Sequence, residues 1–179
     1  MSDNKIIAVI GMCGSGKSEA VKFLVSKGFE KVYFGDVVIR ELKANGLDIN
    51  ETNERMTRER LRKEYGMGVM ALKSIDLIRD YYKKGNVVIE SLYSWEEYKI
   101  IEKEFGDCFK LLTIFTTKEL RYQRLQERKF RPLSSNEAIS RDISEIENLD
   151  KGGPIAFTDY LLFNDSSMDE LRNKLESLF

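Results

Sequence analysis

Eight residues near the start of the chain, Gly11-Met12-Cys13-Gly14-Ser15-Gly16-Lys17-Ser18, carry its clearest chemistry. Their order fits G-x-x-x-x-G-K-[ST], and each part has a physical job. Gly11 lets the chain leave a preceding apolar run sharply, while Gly14 and Gly16 allow backbone angles and close approach that a Cβ would obstruct. Successive N–H groups then point inward to hold phosphate oxygens, and a helix after the loop adds the positive end of its dipole. Lys17 places an ammonium on the β- and γ-phosphates, and Ser18 offers a hydroxyl to Mg²⁺. The implied ligand is a nucleoside triphosphate, ATP or another NTP, with Mg²⁺. Gly11 to Ser18 are its binding residues, Lys17 the candidate catalytic cation and Ser18 a metal ligand. The competing explanation is a glycine-rich turn with an incidental lysine. At this length and composition the pattern arises by chance at a rate of roughly 0.8%. Cys13 reads as a small tolerated residue, since a thiolate beside phosphates is electrostatically disfavoured.

Such a loop needs a strand before it and a helix after it, and the pattern supplies both. Ile6 to Ile10 reads as a buried parallel strand, and Ser18 to Ser26 as a helix with Val21, Leu24 and Val25 on one side. Further strands are expected at Lys31–Phe34, Val87–Ile89, Phe109–Phe115 and Tyr160–Phe163. Helices are expected from Asp36 to about Ala44, over Glu51–Glu64, along Leu72, Ile75, Ile78 and Tyr82, and over Trp95–Phe105, Lys118–Arg128 and Met168–Leu178. Ser134-Ser135-Asn136-Glu137 has capping-box form and opens a helix that shows Ile139, Ile143 and Ile146 and runs to Gly152-Gly153-Pro154. Strands alternating with helices imply a mainly parallel sheet covered on both faces, with ligands at the carboxyl ends of its strands.

Length and composition narrow the classes. A chain of 179 residues suits one domain, and 42% hydrophobic residues supply a sizeable core. With 29 basic and 30 acidic residues the net charge is -1, which indicates no general pull onto nucleic acid or a membrane. Cys13 and Cys108 make neither a disulfide framework nor a CxxC metal pair. The absence of histidine disfavours zinc chemistry and Ser-His or Cys-His catalysis. Ile6–Ile10 is too short for a signal h-region or a membrane span, so a soluble, cytoplasmic protein is expected.

Beyond the loop, residues 34–42, 62–66, 141–145 and 158–166 carry a resemblance that covers nearly the whole chain. It resembles the nucleoside-kinase-like branch of P-loop proteins. Its nearest likeness is to archaeal adenylate-kinase-related proteins of unassigned function; dephospho-CoA kinases and nucleoside monophosphate kinases are more distant. The resemblance implies a three-layer α/β P-loop fold with a five-stranded parallel sheet of order 2-3-1-4-5. It also implies an acceptor-binding helical insert at 37–84 and a lid at about 126–141. On that likeness Asp36 faces the acceptor, orienting a hydroxyl or phosphate or holding a metal-bound water; a plain helix N-cap is the even alternative. Arg121, Arg124 and Arg128 share a helix face, and Arg131 and Arg141 flank the proline-containing turn. Phosphoryl transfer needs such a cation on the transferring group, and at least one of these arginines is expected to supply it, with Arg128 taken as the candidate and the choice among the five left open; a solvated helix face is the plainer alternative. Asn164 to Ser166 lie near the base or form a turn.

The likeness departs after the third strand. Relatives commonly show Asp-Gly there, often with an arginine soon after, whereas this chain has Glu90-Ser91-Leu92-Tyr93. Glu90 keeps the carboxylate that polarises a magnesium-bound water. The missing arginine's grip on an acceptor phosphate falls to Arg40, Arg55 or Arg58. The implied activity is an ATP-dependent phosphotransferase acting on a nucleotide, a CoA precursor or another small molecule, as a monomer or small homo-oligomer. Its rivals are an NTPase switch acting on a protein or RNA, and a nucleotide-binding module without turnover.

Overall fold

Every residue of β1 (Ile6–Ile10) is buried, as expected of a central strand covered on both faces. A computed structural model describes residues 4–179, which form a five-stranded, all-parallel sheet. Its other strands are β2 (Glu30–Tyr33), β3 (Val87–Glu90), β4 (Phe109–Phe115) and β5 (Tyr160–Phe163), in the order β2-β3-β1-β4-β5. Alternation along the strands divides the core. Ile6, Ala8, Val87, Ile89 and Leu111 face one side, and Ile7, Val9, Val88, Leu112 and Ile114 the other.

The second side is covered by α1 (Lys17–Ser26) and α10 (Met168–Glu176), which bury Ala20, Val21, Leu24, Leu171 and Leu175. The first side receives α2 (Asp36–Ala44), α3 (Glu51–Tyr65), α4 (Val69–Leu72), α5 (Ile75–Tyr82) and α6 (Trp95–Phe105). The remaining helices, α7 (Lys118–Glu127), α8 (Ser135–Glu147) and α9 (Gly152–Ala156), lie between β4 and β5 in the chain. Register places Val9 beside Glu90 and Ile10 beside Thr113, so the exits of β1, β3 and β4 share one rim.

Two helices differ from their expected extents. The segment around Leu72–Tyr82 is broken, because Ser74 Oγ donates to Met70 O at 2.8 Å and the backbone tightens there. Helix α8 stops at Glu147, and Gly152–Ala156 forms a separate turn of helix after Asp150, which sits in the left-handed region at φ 50°. Among the described residues no helix is long and apolar enough to cross a membrane.

Candidate functional site

The glycine-rich loop leaves β1 at that rim with Gly11, Gly14 and Gly16 all at positive φ. A Cβ on Gly11 would collide with Ile114 O, and one on Gly16 with the Asn164 side chain, so close packing as well as dihedral freedom demands glycine here. Four of the loop's carbonyls are engaged. Arg121 Nη1 donates to Cys13 O at 2.9 Å, and Ser15 O accepts from Asn164 Nδ2 at 2.9 Å and Thr116 Oγ1 at 3.1 Å. Met12 O accepts from Lys17 Nζ at 2.8 Å, and Gly16 O from Glu19 N at 3.1 Å. In a planar trans peptide the N–H points opposite to the preceding carbonyl. The four engaged carbonyls therefore turn the amides of Cys13, Gly14, Gly16 and Lys17 away from those partners, which is how a chain builds an anion nest.

Charge gathers beside the nest. Burial, and next the ammonium of Lys151, push Lys17 down from 10.5 to about 7. The Lys151 side chain is only 2% exposed; its Nζ lies 2.6 Å from Glu145 Oε2 and 4.5 Å from the centroid of the Tyr93 ring. Burial alone would raise Glu145, but Lys151, Lys17 and Arg141 together outweigh it and hold the carboxyl below the usual range. Arg141 Nε reaches the other Glu145 oxygen at 3.2 Å. One turn away, Asp142 takes both ends of the buried Arg121 guanidinium, at 3.0 and 2.6 Å. Asp142 and Glu145 are therefore the buried side of α8, while Ile139, Ile143 and Ile146 are exposed.

A cleft of about 1220 Å³ opens alongside, between the α2–α4 segment and α8. Arg55, Arg58 and Arg62 of α3, Arg131 and Arg141 line it, together with Tyr33, Tyr93, Glu97 and Glu145. Arg62 Nε is buried without a hydrogen-bond partner, and burial lowers the pKa of its guanidinium. At the opening, Arg131 pairs with Glu51 at 2.8 Å.

The predicted residues fall in several places. Lys17 and the rest of Gly11 to Ser18 form the loop as a unit, with Ser18 exposed on the first turn of α1. Glu90 ends β3 on the α1 face and meets Lys31 Nζ at 3.3 Å. A hydroxyl and a carboxylate are hard oxygen donors that suit Mg²⁺ arriving with a triphosphate. Among the described residues no group of three or more His, Cys, Asp or Glu could hold a metal alone. Asp36 is exposed in the first turn of α2, one residue past the N-cap position, which is Gly35, and it is not among the residues that line the cleft. Arg128 lies just past α7 on extended backbone, and its Nε donates to Arg131 O rather than into the cleft. Arg121 serves the loop from below, and Arg124 binds Asn164 O at 2.9 Å, so the three arginines of that face have three different surroundings. Asn164 lies buried under the loop. Ser91, directly after Glu90, takes the left-handed backbone region at φ 71°.

Sequence reasoning gave no role to Arg62, Lys151, Glu145 and Thr116, although Arg62 and Glu145 lie in segments that carry the resemblance. Arg62 had a legible signal, lying at i+7 from Arg55 and i+4 from Arg58. Lys151 had none, since a lysine between Asp150 and Gly152 reads as a solvated turn.

Comparison with known proteins bears on the family and the fold. Residues 7–149 match the family described as AAA domain. A UPF0200 protein of Methanosarcina mazei is 38% identical over 145 residues, which cover 81% of this chain and 72% of that protein. Among solved structures, dephospho-CoA kinase from Campylobacter jejuni superposes with TM-score 0.59 at 16% identity, covering 99% of this chain and 96% of its own. Shikimate kinase from Acinetobacter baumannii gives TM-score 0.60 at 16% identity, covering 98% and 92%. The fold is thus a P-loop kinase-like one.

Proposed function

We propose that this protein, which belongs to the UPF0200 family and shares the P-loop core of the AAA-domain family, transfers the terminal phosphoryl group of ATP to a small acceptor bearing an anionic group. The observation that carries this reading is the arginine-lined cleft beside the nest, with Arg62 Nε buried there without a partner. A hydrolase needs room only for water, whereas a cleft of about 1220 Å³ accommodates a second substrate. A half-buried guanidinium is stabilised by a carboxylate or phosphate that fits its fork.

In this reading the loop amides and Lys17 neutralise the triphosphate, and little covalent work falls to the protein. Mg²⁺, when bound, supplies charge neutralisation on the phosphates; Ser18 and Glu90 are the residues to hold it. Segment 37–84 presents Arg55, Arg58 and Arg62 to the acceptor; Asp36, exposed in the first turn of α2 next to Gly35 of the cleft wall, is the carboxylate proposed to orient its reacting end. Residues 126–141 act as the lid, and Arg141 takes the role assigned to Arg128 on sequence grounds, because Arg141 lines the cleft next to Glu145. Dephospho-CoA kinase and shikimate kinase are likenesses in fold, and both are named for acceptors that bear an anionic group.

The test is ADP formation across a panel of phosphate- and carboxylate-bearing acceptors against a no-acceptor control. At least one acceptor is expected to raise the rate a hundredfold or more, at the order of magnitude of one acceptor-positioning effect. Arg62→Ala is expected to raise that acceptor's KM while leaving the KM for ATP within about twofold. A rate that no acceptor changes contradicts the proposal. A protein-directed NTPase switch is the second reading, and one observation favours it: the exposed row Ile139, Ile143 and Ile146 on α8. A switch ignores every member of the panel and accelerates only with its macromolecular partner.

A further inference from the structure

Lysine seldom goes fully inside a protein, because its four-carbon stem lets the ammonium reach water at little cost. Lys151 had that choice, since its neighbours Asp150 and Gly152 are exposed. Its side chain instead turns inward, toward Glu145 and the Tyr93 ring, one turn of α8 from Asp142, whose partner Arg121 also binds Cys13 O of the loop. Two cations, the buried Lys151 and the partly exposed Arg141, then share the single carboxylate of Glu145; Asp142, the next acid on α8, is already taken by Arg121. Like charges gathered in a low-dielectric space repel strongly unless an anion joins them. A phosphoryl group supplies the further anion that two cations sharing one carboxylate lack.

The position of the cluster says which phosphate. Glu145, Arg141 and Tyr93 line the acceptor cleft, and Asp142 on the same helix is tied through Arg121 to Cys13 O of the loop, so Lys151, buried behind Glu145 and Tyr93, lies between the cleft and the nest. An ammonium has three donors. One goes to Glu145 and one faces the Tyr93 ring, which leaves a third for an oxygen of the ligand.

We propose that Lys151 is a second phosphate-contacting ammonium of this site, specific for the terminal phosphoryl group of the triphosphate and held in place by Glu145 and Tyr93. The proposal rests on the phosphotransferase reading above. It predicts a selectivity that a purely structural ion pair does not give: loss of Lys151 weakens a triphosphate and spares a diphosphate.

Lys151→Met alone leaves Glu145 buried and unpaired, which destabilises the fold. The informative variant is therefore the double Lys151→Met/Glu145→Gln, which removes both charges together. Calorimetric titration with Mg²⁺ compares a non-hydrolysable ATP analogue with ADP for the wild type and the double variant. The expected result is ADP affinity within about twofold of wild type and ATP-analogue affinity about ten- to hundredfold weaker, the size of one charge-assisted hydrogen bond. As an independent readout on the unaltered protein, the ¹⁵Nζ resonance of Lys151 is expected to shift with the ATP analogue and stay put with ADP. A double variant with the wild-type ratio of the two affinities, equal loss of both, or an ¹⁵Nζ signal indifferent to the analogue overturns the proposal. A wild type that binds neither nucleotide refutes the phosphotransferase reading instead, so the two failures are distinct.

Discussion

Helix α1 buries Ala20, Val21 and Leu24 against the sheet, whereas helix α8 buries Ala138, Asp142 and Glu145 and leaves Ile139, Ile143 and Ile146 facing outward. Both helices adjoin the same loop. The first is placed by apolar area removed from water, which is non-directional and insensitive to salt. The second is placed by two buried ion pairs, Arg121–Asp142 and Lys151–Glu145, which depend on geometry and on the charges around them. A helix held in this way responds when a polyanion arrives beside its partners. The nest is thus built on a rigid element and faced by a charge-responsive one.

The contrast can be broken in graded steps. The largest effect is expected from Asp142→Ala, which strands the Arg121 guanidinium with Cys13 O as its remaining partner. About 3–5 kcal/mol of stability should be lost, and amide exchange should show α8 opening before α1. Uniform exchange along both helices would contradict the division. Leu24→Ala follows, at about 2–5 kcal/mol by chemical denaturation, with a loss that is the same in low and high salt. Next comes pH. Because burial holds Lys17 near 7 against an ordinary 10.5, the free protein carries it neutral above pH 7, and a bound polyphosphate returns the proton. Nucleotide binding should therefore take up a proton and weaken by up to about tenfold per pH unit as pH rises from 7. Calorimetry in buffers of different ionisation enthalpy reads that proton directly; binding enthalpies independent of buffer would refute it. The smallest effect is expected from Ile143→Ala, below about 0.5 kcal/mol, because this side chain already faces outward. A loss of 2 kcal/mol or more, of the kind a packed isoleucine shows, would mean that the row is covered in solution.

The same two helices show how far the amino-acid pattern reaches. Strand β1, the loop and α1 are legible because their signals are local: an apolar run, glycines at fixed spacing, then a helical repeat. The sheet order followed from the resemblance, and the alternation of strands and helices pointed to its parallel build. The isoleucines of α8 were legible as a row but not as an outside, since helical spacing does not say which face turns inward. That choice was made by Arg121, 21 residues before Asp142, and by Lys151 beyond the helix end. The support under the loop was hidden for the same reason: Asn164 reaches Ser15 across 149 residues of chain. The break at Ser74 depends on a single hydroxyl choosing Met70 O.

The central claim is transfer to a second substrate, and one measurement addresses it most directly. The protein is incubated with ATP labelled in its γ-phosphate, Mg²⁺ and a mixed pool of small phosphate- and carboxylate-bearing metabolites, and the label is followed by chromatography. The account predicts label in an organic product, lost when Lys17 is replaced by Ala and reduced when Arg62 is. Label that stays in ATP, or passes only to inorganic phosphate, would contradict it.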